Sequence, residues 1–220
     1  MGMATNIEQA RFNMIEQQIR TWDVLDGRVL DTLKAVPREE FVPSKYRRMA
    51  FMDVRIPLGH DQVMMKPIEE GRLLQAIDIQ PGQRVLEIGT GSGFLAACMA
   101  HLGAQVQTLE IFEDIAESAM RRLERNQTKN VTVRHQDALH QPDVSLFDVV
   151  VVTGSSAVVS EALKSQVNVG GHLFGVRGFS PAMEAVCLHR VSDNEWVTDS
   201  LFETDLPRLA GAEDAPTFEF

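Results

Sequence analysis

The stretch that most constrains the fold is residues 84–94, which read RVLEIGTGSGF. The apolar run at its start is typical of a strand that is buried on both faces of a parallel sheet. Glycines at positions 89, 91 and 93 allow the backbone to turn tightly and leave room for a ligand to approach it. The apolar segment LAACMA then predicts a helix. A strand, a glycine loop and a helix in this order are typical of a nucleotide-like ligand site at a helix N-terminus.

The spacing of the glycines separates two classes of ligand. A dinucleotide site of the form G-x-G-x-x-G would need glycine at position 94, where this chain has Phe94. Glu87 precedes the first glycine by two positions, so the stretch reads E-x-G-x-G-x-G. That form is typical of enzymes that use S-adenosylmethionine (SAM), whose ammonium and sulfonium groups favour a nearby carboxylate. A glycine turn in an unrelated α/β protein is the alternative that this motif alone leaves open.

From residue 84 onward the sequence alternates predicted strands and helices. Strands are predicted at 84–88, 105–110, 131–135, 147–153 and 172–177, with helices at about 92–102, 113–126 and 160–167. The segments AVCLHRV and EWVTDSLFETDL predict a terminal antiparallel pair. The alternation predicts an α/β fold with a doubly wound, mostly parallel sheet. Together with the glycine motif it indicates a Rossmann-like fold of the class I SAM-dependent methyltransferase type.

The N-terminal part has a different pattern. Residues 7–36 predict two amphipathic helices that end before Pro37, and a further helix is predicted at about 68–77. Between them lies a segment with prolines at positions 43, 57 and 67, and long loops of this kind near a ligand site are often functional. We therefore expect one domain over residues 1–220. Residues 1–80 would supply the N-terminal helical extension and an acceptor-side loop, and residues 81–220 the cofactor-binding core.

Composition narrows the possible partners. The net charge is −10 and no basic stripe is present, which argues against nucleic-acid binding. No apolar run is long enough to span a membrane, and no apolar leader is evident at the N-terminus. Two isolated cysteines predict neither a disulfide framework nor a zinc site. These features predict a cytoplasmic protein, and they say nothing about its oligomeric state.

Three acidic residues fall at successive predicted strand ends, namely Glu87, Glu110 and Asp137. Ligands of doubly wound sheets bind across those carboxyl ends. Glu110 is placed to accept two hydrogen bonds from ribose hydroxyls, and Asp137 to accept one from an adenine amino group. Any one of them alone could be a helix N-cap or a solvated loop residue.

The histidines offer one candidate for the site and no metal cluster. The group His135, Asp137 and His140 matches no common metal-site spacing, so no metal site is predicted. His60 lies in the proline-punctuated loop and is a candidate for the acceptor side. The sequence shows no Ser-His-Asp or Cys-His arrangement typical of nucleophilic catalysis. Methyl transfer from a sulfonium does not need one, because it depends mainly on the correct positioning of the two reactants.

Several segments together resemble the protein-L-isoaspartate O-methyltransferase family. They are MIEQQIR, RVLDTLKAVPREEFVP, IPLGHDQ, VLEIGTGSGF, FDVVVVT and, more weakly, LFETDLPRL. The resemblance implies a SAM-dependent enzyme that methylates isoaspartyl carboxylates in damaged proteins, with S-adenosylhomocysteine (SAH) as the second product. It also implies a protein or peptide substrate.

The resemblance also implies site residues by position, although none is assigned a catalytic role. The implied cofactor-binding residues are Met64, Glu87, Gly89, Gly91, Gly93, Glu110, Ile111, Asp137 and Ala138. The acceptor-side candidates are His60, Asp61, Gln62, Met65 and Lys66.

This chain departs from the family pattern in the acceptor loop. After its glutamine the family reads T-[IV]-S-x-P, whereas here the threonine is Val63 and the serine is Met65. The glycine before Gln62 is Asp61. Two alternatives therefore stay open beside isoaspartyl methylation. One is the same fold and cofactor with a different acceptor, and the other is a SAM-binding protein with little isoaspartyl activity. A nicotinamide oxidoreductase would share the fold, but Phe94 argues against it.

Overall fold

The structure is a computed structural model that describes residues 2–141 and 145–212, with side chains from residue 6 onward. Its α-helices are α1 (Gly2–Met14), α2 (Gly27–Ala35), α3 (Arg38–Phe41), α4 (Pro67–Ile77), α5 (Phe94–His101), α6 (Glu113–Arg125) and α7 (Glu161–Lys164). A π-helical turn (Ile15–Ile19) and a 3-10 turn (Arg20–Trp22) continue α1, and a second 3-10 segment spans Ser44–Met49. None of the helices in the described part of the chain has the length and apolar character needed to cross a membrane.

The strands form two sheets. They are β1 (Ile56–Gly59), β2 (Gln62–Met64), β3 (Arg84–Ile88), β4 (Gln105–Glu110), β5 (Val131–His135), β6 (Phe147–Ser156), β7 (Val167–Phe179), β8 (Ala182–Arg190) and β9 (Trp196–Thr204). β1 and β2 form a separate antiparallel hairpin, and the others form one sheet in the order β5-β4-β3-β6-β7-β8-β9. Strands β3 to β7 pair in parallel, and β8 and β9 are antiparallel. The predicted fold class and the terminal antiparallel pair are confirmed.

The chain runs outward from β3 to β4 and β5 and then crosses back to β6 on the other side of β3. Strand order therefore reverses between β3 and β6. In doubly wound sheets the carboxyl ends of strands at such a reversal leave a crevice in which ligands bind. The glycine loop follows β3 directly and opens into this crevice.

Some boundaries differ from the sequence expectation. Residues 168–171, which separate a predicted helix from a predicted strand, lie inside β7, because the β6–β7 register shifts between Phe147 and Val149 and accommodates the extra residues as a bulge. β6 extends to Ser156 because Ser155 and Ser156 pair with Val176 and Arg177 of β7. Ser155 also forms a bridge with Arg208 of the returning C-terminal segment. Asp26 begins α2 as an N-cap, since its side chain accepts a hydrogen bond from the Arg28 amide at 2.7 Å.

Both faces of the sheet are covered by apolar packing. Alternate residues of β3 point to opposite faces. Val85 packs in one core with Leu33 and Leu73 of the N-terminal helices, and Leu86 packs in a second core with Leu173. The N-terminal extension thus shares its core with the sheet that carries the crevice.

Arg38 joins the N-terminal helices to the segment that leads into α4. Its side chain is fully buried and forms an ion pair with Glu70. It also donates hydrogen bonds to the backbone oxygens of Ala50 at 2.9 Å and Met65 at 2.8 Å. A buried guanidinium needs such partners, and here they hold the base of the β1–β2 hairpin in place.

Candidate active site

The glycine loop passes unusually close to β6. Gly89 has φ +91°, and a Cβ built on it would lie 2.3 Å from Thr153 Oγ1. Gly91 also has a positive φ, +54°. Only glycine adopts such a backbone without strain while allowing this approach. The Thr153 hydroxyl donates to the backbone oxygens of Ile88 and Gly89 at 3.0 and 2.6 Å, which fixes the loop against β6.

A cleft opens beside this loop at the carboxyl ends of β3 to β6. It is lined by Leu58, Gln62, Val63, Ile88, Gly89, Gly91, Leu109, Glu110, Ile111, Phe112, Gln136, Asp137, Ala138, Leu139, Thr153, Gly154, Leu209 and Ala210. The predicted cofactor residues in this wall are Gly89, Gly91, Glu110, Ile111, Asp137 and Ala138. Of the acceptor-side candidates, Gln62 lies in the wall.

Glu110 ends β4 and is only 5% exposed. The amide of Gly91 donates to its Oε2 at 2.9 Å, and the amide of Phe112 donates to its Oε1 at 3.2 Å. Burial raises the pKa of Glu110 above its usual range, by more than these amide donors lower it. Since each carboxylate oxygen can accept two hydrogen bonds, both oxygens retain capacity for a further donor from the cleft. The geometry therefore suits the predicted pair of ribose hydroxyls.

Asp137 follows β5 and has two sets of partners. Its Oδ1 accepts hydrogen bonds from the amides of Leu139 at 3.0 Å and His140 at 3.2 Å, and its Oδ2 lies 2.8 Å from His140 Nδ1. Burial acts to raise the pKa of Asp137, but these hydrogen bonds outweigh it and the pKa lies below the usual range. Asp137 therefore shapes its own turn as well as lining the cleft.

Glu87 does not lie in the cleft wall. Its side chain is fully buried behind the glycine loop, where Oε2 accepts a hydrogen bond from Thr108 Oγ1 at 2.5 Å. The Thr108 hydroxyl also lies 2.7 Å from that of Thr90 in the loop. Oε1 has no hydrogen-bond partner among the described residues. Burial raises the pKa of Glu87 to about 8. Any effect of Glu87 on a ligand would act through the loop, since the carboxylate does not face the cleft.

Gly93 and Met64 also lie outside the cleft wall. Gly93 precedes α5, and a Cβ on it would meet Ala119 Cβ and Leu123 Cγ of α6 at 3.4 Å. It is a packing glycine that lets α5 and α6 approach each other. Met64 is 3% exposed and packs in the core beneath the hairpin, as a long apolar side chain favours.

The β1–β2 hairpin covers the glycine loop. Leu58 lies so close that a Cβ on Gly91 would be 3.2 Å from Leu58 Cδ1. Gln62 and Val63 face the cleft, and Gln62 Nε2 is 3.5 Å from the Arg208 backbone oxygen. The acceptor-side loop of the sequence analysis is therefore a lid over one end of the cleft.

The tip of this hairpin is held by a ring stack. His60 stacks on Phe112 with centroids 4.2 Å apart and an interplanar angle of 7°, and its Nε2 lies 2.9 Å from Asp114 Oδ1. His60 thus fastens the hairpin to the start of α6 and does not line the cleft. Asp61, the next residue, is exposed at the turn.

Met65 and Lys66 point away from the cleft. Met65 is 5% exposed and packs in the core, while its backbone oxygen accepts the hydrogen bond from Arg38. The Lys66 ammonium lies 3.8 Å from Asp53 Oδ2 near the start of α4. At the position of the family serine, the apolar side chain is stabilised in the core and no hydroxyl faces the cleft.

Sequence reasoning missed the far wall of the cleft. The chain returns after β9, and its backbone pairs with Ser155, which donates to the Pro207 oxygen at 2.9 Å and accepts from the Leu209 amide at 2.8 Å. A Cβ on Gly154 would lie 3.0 Å from Leu209 Cα, so glycine permits the contact. Leu209 and Ala210 thereby enter the wall. The weak match of LFETDLPRL to the family was the signal that could have indicated this segment.

A model of the Protein-L-isoaspartate(D-aspartate) O-methyltransferase (PCMT) family matches residues 9–198 of the chain. The chain belongs to this family. The match spans the N-terminal helices and the hairpin as well as the glycine-loop core, so the resemblance drawn from the sequence motifs is confirmed. Similarity confined to the glycine loop would have indicated only a general SAM-binding fold.

Relatives in the PCMT family are similar over most of their length. Protein-L-isoaspartate O-methyltransferase 2 of Marinobacter nauticus is 33% identical over 96% of this chain and 97% of its own. Protein-L-isoaspartate O-methyltransferase of Gloeobacter violaceus is 39% identical over 73% of this chain and 78% of its own.

A solved structure shows the same fold. A putative protein-L-isoaspartate O-methyltransferase of Plasmodium falciparum, crystallised with S-adenosyl-L-homocysteine, superimposes with a TM-score of 0.77. The aligned part covers 90% of this chain and 96% of the other, at 20% sequence identity.

Proposed function

We propose that this PCMT family member transfers the methyl group of SAM to an isoaspartyl carboxylate of a protein or peptide. In this reaction a carboxylate oxygen bonds to the methyl carbon as the carbon–sulfur bond breaks, which yields a methyl ester and SAH. The observation that carries the proposal is Glu110, a buried carboxylate that retains hydrogen-bonding capacity beside two cleft-facing glycines.

The cofactor half of the proposal rests on the wall at β3, β4 and β5. Gly89 and Gly91 leave the loop backbone without side chains on the cleft side, Glu110 would accept the ribose hydroxyls, and Asp137 with Ala138 would flank the adenine. These residues fit SAM because the acids offer acceptors to its hydroxyl and amino donors. SAM carries no phosphate, and no lysine or arginine side chain lies in the cleft wall given above.

The acceptor half rests on the hairpin and the far wall. Gln62 and Val63 face Leu209 and Ala210 across the same cleft. A carboxylate is ionised at neutral pH and attacks directly, so the site needs to position it and exclude water more than to activate it. The serine-to-Met65 change removes one donor to a charged group, which costs about 1.5–3 kcal/mol. We expect isoaspartyl turnover slowed by roughly tenfold to a hundredfold relative to a serine-containing site.

The proposal extends to the domain organisation, the class of substrate and the location of the protein. We propose that the chain acts as one unit, because the N-terminal helices share a core with the sheet. The net charge of −10 supports a protein or peptide substrate and not a nucleic acid. The free, buried cysteines at positions 98 and 187 support the predicted cytoplasmic location.

The test uses two peptides that differ only in one aspartyl linkage, isoaspartyl in one and normal in the other. SAH release and base-labile methyl ester should appear with the isoaspartyl peptide alone. Glu110→Ala should lose cofactor binding and turnover, whereas Glu124→Ala, on the exposed face of α6, should retain both. SAM binding without turnover of either peptide would support a different acceptor or a binding role. No SAM binding would refute the proposal.

A further inference from the structure

Three potential metal ligands meet at the edge of the sheet opposite the cleft. His172 lies near the start of β7 and pairs directly with His189 of β8, and Cys187 precedes His189 by two residues. Residues two apart on a strand face the same side, so all three side chains share one face of the sheet. One ligand atom from each residue lies within 4.8 Å of the other two.

The spacing of these atoms is near that of a tetrahedral zinc site. His172 Nδ1 lies 2.7 Å from His189 Nδ1, a hydrogen bond between the two rings that a bound ion would replace. Zinc–ligand distances of about 2.0–2.3 Å place two nitrogens roughly 3.3 Å apart and a nitrogen and a sulfur roughly 3.6 Å apart. Since the three ligand atoms lie within 4.8 Å of one another, side-chain movements on the order of 1 Å would bring them to these separations.

A carboxylate already orients one of the rings. His189 Nε2 lies 2.8 Å from Asp199 Oδ2, and Asp199 faces Cys187 from the neighbouring strand β9. Because the carboxylate accepts a hydrogen bond from Nε2–H, the lone pair of His189 is left on Nδ1, which faces His172. Metal-binding histidines are commonly oriented in this way by a second hydrogen bond to a carboxylate.

The surroundings favour a cation. Cys187 Sγ lies 3.8 Å from the backbone oxygen of Ala76, which belongs to the last turn of α4. The free carbonyl groups at a helix C-terminus carry partial negative charge and stabilise nearby cations. The His189 side chain is 30% exposed, so an ion can enter from solvent.

We propose that His172, Cys187 and His189 bind one divalent transition-metal ion of the Zn²⁺ class, with water in the fourth position. The ligand atoms are Nδ1 of each histidine and the Cys187 thiolate, and the thiol proton passes to solvent on binding. The ion would clamp β7 to β8 under the end of α4. This site is independent of the proposed methyl transfer. Sequence spacing does not reveal this site, because the antiparallel pairing of β7 with β8 brings the three ligands together.

The experiment titrates chelator-treated protein with Zn²⁺ in competition with a chromophoric chelator. One Zn²⁺ should bind per chain, and His172→Ala or Cys187→Ser should abolish that binding. Asp199→Asn should weaken it by about 10- to 100-fold, as expected for the loss of an orienting carboxylate. Cys98→Ala and His101→Ala are the matched controls and should bind as the wild type does. Zn²⁺ at 100 times its Kd should raise the Tm of the wild type by roughly 5–10 °C.

Co²⁺ gives a second measurement that identifies the ligands. The Co²⁺-loaded wild type should show a thiolate-to-cobalt charge-transfer band, which Cys98→Ala retains and Cys187→Ser loses. If circular dichroism shows that His172→Ala does not fold, two other measurements still test the proposal. They are Zn²⁺ binding by the exposed Asp199→Asn variant and the spectrum of the Co²⁺-loaded protein. Binding of Zn²⁺ that survives Cys187→Ser, or no stoichiometric binding by the wild type, would overturn the proposal.

Discussion

Replacing Glu87 with glutamine should change how the stability of the fold depends on pH. Glu87 is fully buried, and only one of its oxygens has a hydrogen-bond partner among the described residues, the Thr108 hydroxyl. Burial raises the pKa of Glu87 to about 8, and the charges of Glu110 and Glu70 raise it further, against the effect of Thr108. The folded protein therefore holds a proton at Glu87 near neutral pH.

The sign of the effect follows from which state holds the proton. The unfolded chain releases it near the ordinary value of 4.5, and the folded chain near 8. Between these values the folded state binds more protons, so the free energy of unfolding falls as pH rises, by about 1.4 kcal/mol per unit. The stabilisation is fully present below pH 4.5 and is lost by pH 8, a change of at most about 5 kcal/mol. Glutamine does not titrate, so Glu87→Gln should remove this slope.

The assay is urea unfolding of the wild type and Glu87→Gln at several pH values between 5 and 8.5. The unfolding free energy of the variant relative to the wild type should rise across this range. An offset of about 1–3 kcal/mol that does not vary with pH is expected from the new amide group, which must find an acceptor. Glu70 is present in both proteins, so the difference removes its own titration and leaves only its coupling to Glu87.

The matched control is Glu124→Gln, an exposed glutamate on α6. The unfolding free energy of this variant, plotted against pH, should run parallel to that of the wild type. If Glu87→Gln also ran parallel, the carboxylate would be ionised throughout, and the isolation of Glu87 behind the loop would be refuted. SAH affinity gives a further check, since Glu87→Gln should alter it much less than a substitution in the cleft wall.

Three further predictions concern the cleft. Glu110→Gln should weaken SAH binding by about tenfold to a hundredfold in calorimetry, because a charged acceptor is worth about 1.5–3 kcal/mol; unchanged affinity would exclude Glu110 from the site. Gly89→Ala should lower the unfolding free energy by at least about 1–3 kcal/mol, since φ is +91° and the new Cβ would meet Thr153; wild-type stability would contradict this. His60→Ala should remove a ring stack on Phe112 worth about 0.5–1.5 kcal/mol. Hydrogen exchange at the β1–β2 amides should then be several-fold faster, and exchange at the wild-type rate would show that the stack does not hold the hairpin.

Local patterns in the sequence determined the fold class of this protein and one wall of its cleft. A short apolar run, three glycines and a helix specify the β3–loop–α5 unit, because each choice depends only on neighbouring residues. The alternation of strands and helices in turn places Glu110 and Asp137 at one edge of the sheet. For the same reason the fold class and the wall of the cleft at β3, β4 and β5 were predictable before any tertiary contact was known.

Tertiary packing decided what local patterns could not. Glu87 and Glu110 look equivalent in the sequence, yet one is sealed behind the loop and the other faces the cleft. The difference depends on which residues of β4, such as Thr108, lie beside each of them. Met65 also depends on distant residues, since Arg38 of α3 donates to its backbone oxygen and its side chain packs in the core.

Two contacts depend on the pairing of strands that are distant in the sequence, and residue spacing alone could not predict them. Leu209 enters the cleft only because the chain returns to Ser155, and His172 meets His189 only because β7 and β8 pair in one register. A shift of that register by one residue would place His189 on the opposite face of the sheet. The register is set by the apolar cores on the two faces, so the cluster is a consequence of the whole fold and not of any one segment.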